Sequence, residues 1–350
     1  MKKSGQWEYS RALSGLYNKF IFTNYLLFVQ LLYYNAFALF SKGRIMSYAI
    51  EVKNLSKSFY TRQRQSFIGG LFAPKHMEKK AVDKLSFTIK EGERVAFIGP
   101  NGAGKSTTLK MLTSILHPTG GKAKVFGMTP WEDRKMLSYN IGAVFGQRSQ
   151  LWQHLSPLKS FELLAAVYNI PDDLFRKRLE NLTEIFEIGE FLNRPVRTFS
   201  LGERMRCEIV ASLLHNPKIL FLDEPTIGLD VVAKAKIRAV LKEMNRREGT
   251  TILLTSHDAG DIEDVCTRAI IINHGKIVID KGITELKATY LSRKIITATT
   301  ARGKVFRHEI DTHAVPLQKA LGDIIKRESP VDLTIQDPSM EEIIRDIYCK

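Results

Sequence analysis

Four short, unbroken apolar runs constrain this chain more than any other feature: Arg94–Ile98 (RVAFI), Ile219–Leu222 (ILFL), Thr251–Leu254 (TILL) and Ala269–Ile272 (AIII). Each is bounded by polar residues or by Gly and Pro, and none alternates apolar with polar. Strands of this kind have both faces buried, as in a parallel sheet covered on two sides. Stretches with a helical period lie between them, among them Ser106–Leu116 and Ala233–Arg247. The pattern predicts an α/β domain with helices on both faces of its sheet. Residues 61–80 are basic and contain Gly69-Gly70 and Pro74, so they read as a long surface loop or insertion. Residues 148–200 are helical in pattern and read as a subdomain inserted into the sheet domain. From residue 291 the style changes. Ile295–Thr300 and Val305–Ile310 can pair as a hairpin around Ala301-Arg302-Gly303. A helix near Ala314–Arg327, a strand Val331–Gln336 and a last helix follow, with Ser339 and Glu342 at capping-box spacing. The expected organisation is an extension over 1–45, a main domain over 46–290 and a small α/β unit over 291–350.

The run RVAFI leads directly into Gly99-Pro100-Asn101-Gly102-Ala103-Gly104-Lys105-Ser106-Thr107, which then opens a helix. The spacing G-x-x-x-x-G-K-[ST], placed between a strand and a helix, is a phosphate-binding loop. Glycines at 99, 102 and 104 let successive N–H groups face one oxygen-rich ligand, and the helix dipole adds positive charge there. The Lys105 ammonium can reach the β- and γ-phosphates, and the Ser106 hydroxyl can coordinate Mg²⁺. Gly99, Asn101, Gly102, Gly104, Lys105, Ser106 and Thr107 are therefore candidate ATP-binding residues.

A second run, Ile219–Leu222, ends in Asp223-Glu224-Pro225. Two carboxylates leaving a buried parallel strand emerge at the sheet's carboxyl edge, beside the phosphate loop. Asp223 is placed as a Mg²⁺ partner and Glu224 as the general base that polarises an attacking water.

Composition excludes several classes. At 350 residues with 44% hydrophobic and 25% charged side chains, the chain is neither collagen-like, nor largely disordered, nor a disulfide miniprotein. The net charge of +15 points to anionic neighbours. No nucleic-acid module accompanies it, so it reads as a solvated basic surface and no nucleic-acid partner is expected. Cys207, Cys266 and Cys349 lack metal-ligand spacing and read as reduced. Residues 20–40 carry no charge and are long enough to cross a bilayer. Yet an exported or inverted main domain is incompatible with ATP chemistry, and the cations ahead of the segment favour an internal amino end. Two readings stand: a segment in the membrane interface or on a membrane partner, or a start-site extension outside the mature protein, with Met46 just before the strand-like Ala49–Val52. The second is preferred.

The third motif is Phe199-Ser200-Leu201-Gly202-Glu203, followed by a helical stretch. Ser200 and Glu203 have capping-box spacing, and a capped helix start is also an anion site. With the phosphate loop and acidic pair, over roughly residues 48–290, the chain resembles the nucleotide-binding subunit of ATP-binding cassette (ABC) transporters. The resemblance implies the fold of a P-loop NTPase ABC nucleotide-binding domain, a RecA-like core plus helical subdomain, here with a small carboxy-terminal α/β extension. It makes Ser200, Gly202 and Glu203 the signature motif facing the γ-phosphate held by another subunit. It makes Gln147 (VFGQRSQ) the Q-loop residue touching Mg²⁺ and water, Asp230 (GLD) the interface-crossing D-loop residue, and His257 (LLTSHD) the switch histidine at the γ-phosphate. The adenine-stacking aromatic is Phe59 or Tyr60, with Phe59 preferred by its spacing from Leu55. Catalysis thus falls to Glu224, His257 and Gln147, and Mg²⁺ to Ser106, Gln147 and Asp223.

Two positions depart from the family's Leu-Ser-Gly-Gly-Gln: Leu201 stands for the first glycine and Glu203 for glutamine. Leucine is strained if position 201 needs a positive φ. A carboxylate at 203 opposes ATP unless its cap bond turns it away. The phrases FGQRSQLW, LDEPTIGLDV and TSHDAGDIEDVC look most like ATPase subunits of exporters for drugs, polyketides or viologens. The expected assembly is a homodimer on the inner face of the membrane with separate permease subunits. A soluble ABC ATPase and an importer subunit are the alternatives.

Overall fold

A computed structural model describes residues 48–62, 76–146, 149–290 and 292–349. The expectations for residues 1–45, for the middle of the 61–80 segment and for Gln147 lie outside the described residues. The central sheet has six strands in the order β5-β6-β7-β3-β8-β9. They are β3 (Arg94–Ile98), β5 (Ile141–Phe145), β6 (Ile219–Asp223), β7 (Thr251–Thr255), β8 (Arg268–Asn273) and β9 (Lys276–Gly282). All neighbours are parallel except β8 and β9, which form a hairpin. Four of these strands are the apolar runs of the sequence. β5 carries Gly142 and β9 alternates along its length, so neither presents the same signal.

The period of two along each strand divides the interior into two cores. Ala96, Ile98, Leu220, Leu222, Ile252, Leu254, Ala269 and Ile271 face one, and Val95, Phe97, Ile219, Phe221, Leu253, Ile270 and Ile272 face the other. Helices cover the first face. The second is covered by α1 (Lys105–Leu112) together with an antiparallel sheet of β1 (Tyr48–Arg62), β2 (His76–Lys90) and β4 (Gly120–Val125), ordered β2-β1-β4. The cover expected to be helical is therefore partly sheet. The loop expected over 61–80 is also shorter: β1 runs to Arg62, β2 starts at His76, and Tyr60 pairs with Glu78. A ribbon that extends into solvent on both faces needs no apolar period, which is why its basic residues read as loop.

After α2 (Arg134–Ser138), the helical subdomain holds α3 (Pro157–Val167) and α4 (Asp172–Phe186) and leads into α5 (Leu201–Leu213). Ser156 caps α3, and Pro157 fills its first position, where a missing N–H costs nothing. His215, just past α5, stacks on Tyr168 at 4.0 Å, and its Nε2–H donates to the Ile141 carbonyl of β5 (2.9 Å). It joins the subdomain to the sheet. Then come α6 (Val231–Glu248), α7 (Ala259–Val265) and α8 (Ile283–Thr289). Cys207 and Cys266 are free and buried, and burial pushes the Cys207 thiol up to about 12. Among the described residues no helix is long and apolar enough to cross a membrane.

The carboxy-terminal unit is a sheet of β10 (Arg293–Thr300), β11 (Val305–Asp311) and β12 (Pro330–Gln336), ordered β11-β10-β12. Helix α9 (Leu317–Glu328) closes its own small core around Ile296, Ala298 and Ile324. The last helix, α10 (Met340–Cys349), behaves differently. Its stripe Met340, Ile343 and Ile347 is buried in the main core, where it packs near α7. Arg293 of β10 ion-pairs with Asp346 of α10, so this helix ties the small sheet to the large domain. The Ser339–Glu342 box forms: Ser339 N–H donates to the Glu342 carboxylate (2.7 Å), and Glu342 N–H to Ser339 Oγ (3.4 Å).

Two outcomes follow. Ile343→Ala is expected to cost about 2–4 kcal/mol in urea unfolding, the loss for a core methylene cluster rather than a surface helix. Burial also pushes the His215 imidazole below its usual range, against its bond to Ile141. The unfolded chain then takes up a proton near pH 6.5 that the folded chain refuses, so this stability is full above that pH and is lost as pH falls through it. The urea midpoint of the wild type should fall more between pH 7.5 and 5.5 than that of His215→Gln.

Candidate functional site

The carboxyl ends of β3, β5 and β6 open onto a cleft of about 690 Å³. Its walls include Phe59, Pro100, Asn101, Gly102, Gly104, Lys105, Ser106, Thr107, Asp223 and Glu224. The loop after β3 needs its glycines. A Cβ at Gly99 would lie 2.6 Å from the Ile272 carbonyl oxygen, and Gly104 has φ +106° with a Cβ position 2.5 Å from the Ala81 carbonyl. These bends turn the loop into α1 with Lys105 as its first residue.

Lys105 is only 5% exposed. Its ammonium donates to the Gly99 carbonyl at 2.5 Å and lies 3.0 Å from His257 Nε2. Burial pushes it below the ordinary lysine range, and the charges of Glu224 and Asp223 partly restore it. The same His257 nitrogen lies 3.1 Å from Glu224 Oε1. A neutral ring can serve one of these neighbours at a time, accepting from the ammonium or donating to the carboxylate. Burial, followed by the Lys105 charge, keeps the imidazole below its usual range, while Glu224 pulls the other way.

At the end of β6, Asp223 Oδ1 accepts from Ser106 Oγ (3.1 Å) and Thr255 Oγ1 (2.7 Å). The next residue turns sharply: Glu224 has φ +55°, a conformation that costs a non-glycine residue about 1 kcal/mol or more. Two bonds hold it there, from Glu224 N–H to the Thr255 carbonyl (3.1 Å) and to Thr255 Oγ1 (3.0 Å). The turn separates the two carboxylates, leaving Asp223 beside Ser106 and Glu224 beside His257. The hydroxyl and carboxylate donors are hard oxygens, the set that suits Mg²⁺ rather than a soft metal.

Phe59 is 40% exposed and lines the cleft; Tyr60 is not among its walls. The Lys57 ammonium lies 5.4 Å from the Phe59 ring centre. Lys79, paired with Phe59 across β1 and β2, also lines the cleft, as do Lys110 and Ile227. Sequence reasoning missed these residues and Thr255. Only the last had a signal, its place at the end of an apolar strand.

Ser200, Gly202, Glu203 and Asp230 are not among the cleft's walls. Ser200 Oγ accepts from Glu203 N–H (3.2 Å), and the Glu203 carboxylate accepts from Ser200 N–H (2.9 Å). The acid is thus turned back on its own helix start, with Arg194 at 3.9 Å. Leu201 is the first residue of α5 and is not among the residues with positive φ, so the strain considered for it is absent. Asp230 caps α6, its Oδ1 accepting from Ala233 N–H (2.8 Å).

A model of the ABC transporter family matches residues 82–227. The chain is 32% identical over 215 residues to the ABC transporter ATP-binding protein NatA of Bacillus subtilis (strain 168), covering 61% of this chain and 87% of that protein. It is 32% identical over 210 residues to the daunorubicin/doxorubicin resistance ATP-binding protein DrrA of Streptomyces peucetius, spanning 63% of that relative's length. Among solved structures, the dimeric post-hydrolysis state of the ATP-binding cassette MJ0796 bound to ADP and Pi is 27% identical, with a TM-score of 0.57 over 67% of this chain and 98% of that one.

Because the Glu203 carboxylate serves as a cap, Glu203→Ala is expected to cost about 1 kcal/mol of stability. Glu203→Gln, whose amide oxygen can accept the same bond, should cost a few tenths, both read by urea denaturation.

Proposed function

The chain belongs to the ABC transporter ATP-binding proteins, and from that premise we propose that it is the ATPase subunit of an exporter whose membrane-spanning subunits are separate chains. It binds and hydrolyses ATP. The observation that carries the site assignment is the convergence of Lys105, Ser106, Asp223 and Glu224 on one cleft at the sheet's carboxyl edge, with His257 in contact with both Lys105 and Glu224.

In this reading the loop N–H groups and the Lys105 ammonium hold the β- and γ-phosphates, and Phe59 stacks on the adenine. Ser106, Asp223 and Gln147 would hold Mg²⁺, which supplies charge neutralisation on the phosphates. Glu224 takes the proton of the attacking water, and His257 holds the γ-phosphate beside it. The signature residues Ser200, Gly202 and Glu203, with Asp230, stand outside the chain's own cleft and serve the ATP of a second copy. Two ATP molecules then join a head-to-tail homodimer. Cleavage and phosphate loss remove the charge that joined the subunits, and the dimer opens. The helical subdomain passes that movement to a permease at the inner face of the membrane. Export is favoured by the likeness to DrrA, a relative named for drug resistance.

Glu224→Gln is expected to bind ATP and lose about 10²–10⁴-fold in kcat, the contribution of a general base. Lys105→Ala should weaken ATP binding by roughly 30–150-fold, the worth of charge-assisted hydrogen bonds of about 2–3 kcal/mol. Glu224→Gln loaded with ATP should also elute as a dimer and capture a polytopic membrane protein from detergent-solubilised membranes. Recovery of ribosomes or soluble protein alone would overturn the transporter assignment.

A further inference from the structure

One buried carboxylate links the segments that carry the acid and the histidine. Asp261, in α7, is 1% exposed. Its Oδ2 accepts from the hydroxyls of Thr226 and Ser256, the latter at 2.7 Å, and both hydroxyl residues are buried. Its Oδ1 accepts from Arg238 Nε at 2.7 Å. Thr226 stands two residues after Glu224, and Ser256 immediately precedes His257. The two residues in contact at the cleft, Glu224 and His257, are thus each anchored within two residues of their backbone to a single oxygen atom.

The rest of the cluster makes that oxygen hard to move. Arg238 also donates to Asp258 Oδ1 (2.6 Å), while Lys234 donates to Asp258 Oδ2 (2.6 Å). Asp258 caps α7, and its own N–H donates to Ser256 Oγ (3.0 Å). The guanidinium lies across Gly260, where a Cβ would fall 2.4 Å from Arg238 Nη1, so a side chain there would displace the guanidinium. Lys234 and Arg238 lie on α6, the helix that Asp230 caps. The acid segment, the histidine segment and the D-loop helix therefore meet at one place. A carboxylate oxygen with two hydroxyl donors is satisfied only while both segments stay in place, and a buried charge that loses a partner is costly.

We infer that Asp261 is a positioning residue for hydrolysis: by holding Thr226 and Ser256 together it fixes the spacing of Glu224 and His257. This rests on the assignment of Glu224 and His257 as the hydrolytic pair. Thr226→Val and Ser256→Ala each delete one hydroxyl and leave the charged cluster in place. Each is expected to lower kcat by about tenfold, the size of effect that small misplacement of a catalytic group produces, while KM for ATP changes less than about twofold. Because both hydroxyls act through one oxygen, the double variant should be little worse than either single one, well short of the hundredfold that independent effects would give. Thr226→Ser and Ser256→Thr, which keep a hydroxyl, should retain near wild-type kcat. All are assayed on the full chain with matched far-UV circular dichroism and at a temperature below the unfolding of each. Unchanged kcat in both single variants, beside an inactive Glu224→Gln, would overturn the role of Asp261 and leave the hydrolytic assignment standing. A Glu224→Gln form as active as the wild type would overturn the assignment instead. Equal rises in KM and falls in kcat, or full additivity in the double variant, would reduce the cluster to packing.

Discussion

The site depends on the parallel pairing of β6 with β7, which sets Asp223 opposite Thr255. That register brings a hydroxyl to the first acid and a carbonyl to the N–H of the second, and so secures the positive φ of Glu224. Without it the chain would leave β6 in an extended conformation and the two carboxylates would point to opposite faces, as successive side chains of a strand do. The same edge receives the glycine loop of β3 because β3 pairs with β7 in parallel. Parallel strands end together, so loops far apart in sequence converge without any further device.

Electrostatics then divides the labour. Asp223, Glu224 and Lys105 bring two negative charges against one positive into a partly buried space, and His257 sits between Lys105 and Glu224. A histidine pushed down by burial and by an ammonium stays uncharged near neutral pH. It can therefore approach both neighbours without adding a net charge to a site built for a polyanion. Glu203 stands outside that cleft, its carboxylate accepting from the N–H of Ser200 at its own helix start.

Much of this was legible from the chain. β3, β6, β7 and β8 announced themselves because strands buried on both faces leave no room for polar side chains, and the capping boxes at Ser200 and Ser339 formed as their spacing required. The register that brings Phe59 to the cleft was readable only as a preference, because the ribbon bearing it lacks a buried face over its outer half. β5 and β9 escaped notice through a glycine and an exposed alternation. Least legible were tertiary matters. Nothing local in Asp261 says that its carboxylate meets Thr226 and Ser256, and the apolar stripe of α10 announces that it is buried without saying in which core.

That stripe has a consequence for how the molecule is made. The large sheet is complete once β9 has been synthesised, but the core on its helical face is finished only by Met340, Ile343 and Ile347. At ribosomal speed the interval from Gly282 to Met340 lasts on the order of 3–10 s, long compared with helix formation and hydrophobic collapse. Throughout that interval α7 lacks the helix that packs near it in the finished fold. Until α10 arrives that part of the core lacks its last apolar cover, although the strands that carry the phosphate loop and the acidic pair are already synthesised.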